Sequence, residues 1–67
     1  MSTREFFTPT RKYHVTEHGN GWAYEIVCES TNDYLWFQDS DADAFRENTG
    51  YLSDEDAIRQ YFDALGD

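Results

Sequence analysis

Residues 12–30 read Lys12-Tyr13-His14-Val15-Thr16-Glu17-His18-Gly19-Asn20-Gly21-Trp22-Ala23-Tyr24-Glu25-Ile26-Val27-Cys28-Glu29-Ser30, and this stretch decides the fold. Both halves alternate with a period of two, the signature of a half-buried strand. In Lys12–His18, Tyr13, Val15 and Glu17 face one way, and His14, Thr16 and His18 the other. In Trp22–Ser30, Trp22, Tyr24, Ile26 and Cys28 form an apolar face, while Ala23, Glu25, Val27 and Glu29 form the opposite one. Gly19-Asn20-Gly21 joins the two halves with residues that tolerate positive φ, as a tight hairpin turn demands.

Working outward, Thr31-Asn32-Asp33 supplies a second turn. Tyr34–Gln38 then reads as a third strand, with Leu35 and Phe37 opposite Tyr34 and Trp36. One of these two pairs must lie on the side of the sheet that helices do not cover. After Phe37 the period changes. Asp39 or Ser40 can cap a short helix running to about Asn48, with Ala42, Ala44 and Phe45 as its thin apolar side and Gly50 as its stop. Ser53 is placed to cap a second helix. In it Ala57, Ile58, Tyr61, Phe62 and Leu65 recur at helical spacing, and Gly66 ends it.

The first ten residues are harder to read. Ser2 and Glu5 fit a capping box, Pro9 leaves room for barely one turn, and Thr8 before it is pushed toward extended geometry. Phe6 and Phe7 are expected to dock on the core, because two exposed adjacent phenylalanines cost burial energy. The expected fold is α+β, a single small acidic domain over residues 1–67. It has a three-stranded antiparallel sheet with two short helices packed on one face. Ile26, Phe37, Phe45, Ile58, Phe62 and Leu65 are the expected core.

A chain of 67 residues buries a modest fraction of its surface. Aromatics at 18% compensate, since large rings bury more area per residue. The same richness argues against a disordered acidic tail. A single cysteine, Cys28, cannot close an internal disulfide; it reads as a small core hydrophobe in a protein of the reducing cytoplasm. The opening residues lack the apolar stretch of a signal peptide, and no run approaches the roughly 18 apolar residues of a membrane span.

Motifs for chemistry are incomplete. Asp39-Ser40-Asp41-Ala42-Asp43 has the alternating oxygen ligands that open a calcium loop. Ala44 then stands where glycine should make the sharp turn, and Gly50 where a bidentate glutamate belongs. Acids at a helix start favour the helix dipole without any metal. His14 and His18 are four apart, a metal-like spacing on a helix but a distant pair on a strand. No nucleophile elbow, P-loop or dinucleotide fingerprint occurs. The expectation is a monomeric binding protein that is not an enzyme and needs no metal or cofactor.

Charge is the remaining signal. From Glu29 to Asp67 there are 11 acids and 2 bases; from Met1 to Cys28 there are 3 of each, so the whole −9 arises after Cys28. A one-signed surface on a small domain projects a long-range field toward basic partners, and large basic surfaces commonly serve nucleic acids. A domain of this length has a diameter of roughly 28 Å. Duplex DNA of that length carries about 16 phosphates. The acids are dense enough to imitate it if they share a face. Salt adaptation would spread acidity over the whole chain, whereas the first part is neutral. Direct nucleic-acid binding, which aromatics can serve, needs a basic groove that a −9 chain lacks. A regulatory module that binds its partner through an aromatic sheet face, its acidity reflecting solubility, is the alternative.

The stretch His18–Phe45, HGNGWAYEIVCESTNDYLWFQDSDADAF, with the acidic helix Ser53–Phe62, SDEDAIRQYF, resembles the small type I-C inhibitors among the phage anti-CRISPR proteins. That resemblance implies a phage protein acting in the host cytoplasm. It would bind a Cas subunit of a type I surveillance complex, on a surface that normally holds target DNA. It carries over no residue roles. The candidate partner-binding residues therefore rest on charge and exposure: Asp39, Asp41, Asp43, Glu47, Asp54, Glu55 and Asp56, with Tyr34 and Trp36 as an apolar anchor.

Overall fold

The computed structural model describes residues 3–65, with the side chain of Leu65 outside that description. Four strands and two helices follow one another: β1 (Thr3–Phe7), β2 (Tyr13–His18), β3 (Ala23–Cys28), β4 (Tyr34–Gln38), α1 (Ser40–Asn48) and α2 (Glu55–Leu65). The strands pair in sequence order as an antiparallel meander, β1-β2-β3-β4.

The α+β architecture agrees with expectation; the strand number does not, being four where three were expected. Residues 3–10 form an edge strand and the start of its turn, and no helical turn starts at Glu5. The other half of the expected capping box, Ser2, lies outside the described residues, as does Gly66. Pro9 explains the difference. Arg11 N–H donates to the Thr8 carbonyl at 2.7 Å, closing a turn with Pro9 in its second position, where the proline ring's fixed φ belongs. Thr8 N–H then donates to the Tyr13 carbonyl at 3.0 Å and starts the ladder.

Register sets the two sheet faces. On the helix side, Phe6, Val15, Ile26 and Leu35 line up across all four strands, and Arg4, Glu17, Tyr24 and Phe37 form the next row. Onto these rows pack Ala42 and Phe45 from α1, Leu52 from the connection and Ile58 from α2. Phe37 stacks on Phe45 with centroids 4.3 Å apart, and Tyr61 meets both edge-on. Tyr13 stacks on Phe62 at 5.3 Å. Of the expected core, Ile26, Phe45 and Ile58 are fully buried, while Phe37 and Phe62 pack against the cluster from its margin. Leu65 cannot be placed in it, since its side chain is not described. Cys28 is likewise marginal and only half-buried.

Helix ends show how the chain turns. α1 stops in a Schellman arrangement: Tyr51 N–H donates to the Arg46 carbonyl at 2.8 Å, and Gly50 N–H to that of Glu47 at 3.3 Å. Gly50 holds the left-handed φ of 56° this requires. Buried Thr49 then organises the connection. Its hydroxyl donates to the Phe45 carbonyl at 2.7 Å and accepts from Leu52 N–H at 3.2 Å, and its carbonyl accepts from Ser53 and Asp54. α2 is capped by Asp54, whose Oδ1 accepts from Ala57 N–H at 3.2 Å. The expected cap, Ser53, instead turns back to the Gly50 carbonyl.

Candidate functional site

The helix layer carries the acidity. Between Asp39 and Asp63 lie eight carboxylates (Asp39, Asp41, Asp43, Glu47, Asp54, Glu55, Asp56 and Asp63) against two guanidiniums, Arg46 and Arg59. Seven of the eight side chains are exposed, and Glu55 is half-buried. Both helices cover the same sheet face, so their outer surfaces form one side of the molecule.

The carboxylates are not equally free. Asp39 holds the N-cap position of α1 at φ 56°, yet its side chain makes no capping hydrogen bond. Asp43 pairs with Arg46 at 2.9 Å. Arg46 also donates to the Tyr24 hydroxyl at 3.4 Å, Tyr24 donates to Glu17 at 3.1 Å, and Glu17 meets Arg4 at 3.3 Å. This chain of contacts ties α1 to β3, β2 and β1, and burial pushes the Tyr24 phenol up. Asp54 is committed to its cap.

Glu55 was expected to project into solvent and does the reverse. It accepts from the Thr8 hydroxyl, from Thr10 N–H at 3.1 Å and from the Thr10 hydroxyl at 2.7 Å. The Thr8 hydrogen bond, reinforced by Thr10 against some desolvation, holds its carboxyl below the usual carboxylate range. Glu55 thus clasps α2 to the β1–β2 turn. Asp41, Glu47, Asp56 and Asp63 make no ion pair or side-chain hydrogen bond among the described residues.

Tyr34 and Trp36 do not join this surface. They stand on the open sheet face, 63% and 44% exposed, with the sheet between them and the helices. Trp22, expected on the apolar face with Tyr24, precedes β3 and is 47% exposed beside Trp36. Its position after two glycines was the sequence signal that it leaves the strand. Tyr51, 73% exposed, was not anticipated; it rides the left-handed turn that ends α1.

The histidines are separated along β2. His14 Nε2 meets Glu5 at 3.2 Å, and His18 Nε2 is buried with no hydrogen-bond partner among the described residues. No group of three or more His, Cys, Asp or Glu among the described residues is arranged to hold a metal ion. Three of the five bases, Arg11, Lys12 and Arg59, line one cleft of about 640 Å³ with Cys28 and Phe62. Burial raises the Cys28 thiol's pKa there, but hydrogen bonds with Ser30 and Thr31 outweigh it and leave the thiol below its ordinary value. Among the described residues no helix is long and apolar enough to cross a membrane. No protein-family profile, curated protein or solved structure matches the chain.

Proposed function

We propose that the protein binds the cationic surface of a nucleic-acid-handling protein through its helix layer and blocks that surface as a nucleic-acid mimic. A type I CRISPR surveillance complex is the first partner to test, with the chain acting as a phage-encoded inhibitor. One observation carries the reading: eight carboxylates, six on the two helices and two at their N-caps, against two guanidiniums on the layer that covers a single sheet face. Four of the carboxylates without internal commitments, Asp41, Glu47, Asp56 and Asp63, supply the contact. The molecule measures 32 × 21 × 19 Å, so its long axis matches about 19 phosphate charges of duplex. The described acids are fewer, and a cationic groove would meet them as a sparser strip.

Competition decides it. Purified surveillance complex is titrated with the protein in the presence of labelled target duplex. The duplex should be displaced, and the protein's affinity should fall steeply with salt. Simultaneous binding of both without mutual loss of affinity would rule the mimic out.

A further inference from the structure

The open sheet face carries a second, differently built surface. Register places Thr16, Glu25 and Trp36 in one row and His18, Ala23 and Gln38 in the next. Trp22 enters beside them from the hairpin turn. The three rings lie 5.3 Å (His18–Trp36), 6.1 Å (His18–Trp22) and 6.3 Å (Trp22–Trp36) apart, and the two indole planes meet at 79°. Both indoles are held. Trp36 Nε1–H donates to Gln38 Oε1 at 3.1 Å. Trp22 lies against Gly19, where an added Cβ would come within 2.5 Å of the indole. Two large rings that are fixed in place and still nearly half exposed are the form a binding anchor takes, because their ordering cost is met before the partner arrives.

Carboxylates border this corner. Glu25 is the direct cross-strand neighbour of Trp36 on the same face. Asp39 and Asp43 share with Trp22 a depression of about 600 Å³ at the end of the sheet. Arg46, which also lines it, is occupied by Asp43 and Tyr24. Glu25 and Asp39 have no ion pair among the described residues. An exposed indole face beside an unpaired carboxylate suits a cationic side chain. Arginine fits best, since its flat guanidinium stacks on an indole while its fork meets a carboxylate. Bases of a nucleic acid also stack on tryptophan, but these carboxylates and the net charge of −9 oppose its phosphates.

We propose that Trp22 and Trp36, with Glu25 and Asp39, form a docking site for an extended, arginine-bearing segment of a partner protein. Its aromatic part lies across the sheet from the helix layer's outer surface; the site shares Asp39, at the start of α1, with that layer but uses none of Asp41, Glu47, Asp56 and Asp63.

The test is a two-dimensional amide NMR titration of the full chain with an acetylated Gly-Arg-Gly-Arg-Gly peptide, and with the same peptide carrying neutral citrulline for arginine. The two indole N–H resonances should shift saturably with the arginine peptide and stay still with the citrulline one. Glu25→Gln, which leaves every ring in place, should weaken binding by roughly threefold or more. Trp36→Ala should weaken it by roughly fivefold. Asp56→Lys with Asp63→Lys, on the helix layer, should leave the indole response in place. Equal binding of the citrulline peptide, or shifts confined to α1 and α2, would overturn the proposal. So would indole shifts that grow with protein concentration alone, which would make a second copy of the chain the occupant.

Discussion

Glu55 shows why charge alone does not identify a contact residue. In the sequence it is the second of three consecutive acids at a helix start and looks like a partner for the helix dipole. In the fold it is fastened by Thr8 and Thr10 from the far end of the chain. Nothing local announces such a contact, because it depends on the β1–β2 turn returning beside the start of α2. Its pH consequence has a definite sign. The folded carboxyl titrates below its unfolded value, so its contribution is fully present above the unfolded carboxylate pKa and fades as pH falls through the folded one. Thermal melts taken from neutral to acid pH should show Glu55→Gln losing less stability across the acid range than the parent chain. Parallel curves would mean that the clasp is not formed in solution. Thr8 is the buried half of this clasp and also accepts from Tyr13 N–H at 3.2 Å. Thr8→Val keeps the shape and removes both bonds, and it should cost about 1–3 kcal/mol in denaturant unfolding.

Among the elements, those with a clean period were legible: the β2–β3 hairpin, β4 and both helices. In β4 the sequence left open which pair faces out; the register answers with Tyr34 and Trp36. β1 was missed because it is short and its two phenylalanines split between faces. Phe6 joins the core row, while Phe7 lies on the open face, 4.9 Å from His14 and under Arg11. Adjacent aromatics carry no period, and Ser2 with Glu5 imitated a helix start. Thr8-Pro9-Thr10-Arg11 was the readable clue, a turn with proline where a turn favours it. The start of α2 was misplaced by one residue because serine and aspartate are almost equal as caps. Asp54→Ala should therefore cost about 1 kcal/mol, and Ser53→Ala distinctly less. Equilibrium unfolding of the two variants separates the assignments, and the reverse order would restore Ser53 as the cap. Core substitutions follow burial in the same way. Ile58→Ala, at a fully buried site, should cost about 2–5 kcal/mol, and marginal Phe62→Ala should fall toward the lower end of that range.

For the molecule as a whole, the sequence located the excess charge along the chain but not across it. The neutral first part builds three of the four strands, and the acidic remainder supplies β4 and both helices, so eight of its 11 acids end up in the helix layer. What could not be read was that Tyr34 and Trp36 would face away from those acids, since sheet face is settled only once β4 pairs with β3. This placement changes which charge reversals are informative. Reversing Glu55 breaks the clasp, and reversing Asp43 sets a cation beside Arg46; either confuses binding with folding. Asp41 and Glu47 on α1 have no such commitments among the described residues, and converting both to Lys moves the net charge from −9 to about −5. Like charges crowd this layer, and the dipole interaction lost at Asp41 in the first turn of α1 is offset by the cation gained at position 47 in its last turn, so the variant should melt at the same temperature as the parent or slightly higher at low salt, where screening is weakest. Against a cationic nucleic-acid-binding surface it should bind more weakly, with a shallower dependence of log affinity on log salt, because fewer counterions are exchanged on contact. Each carboxylate alone contributes little in water, which is why the pair is reversed together. Unchanged affinity and an unchanged salt slope in a folded variant would mean that the helix layer is not the contact surface. The aromatic corner on the opposite face would then be left to account for binding.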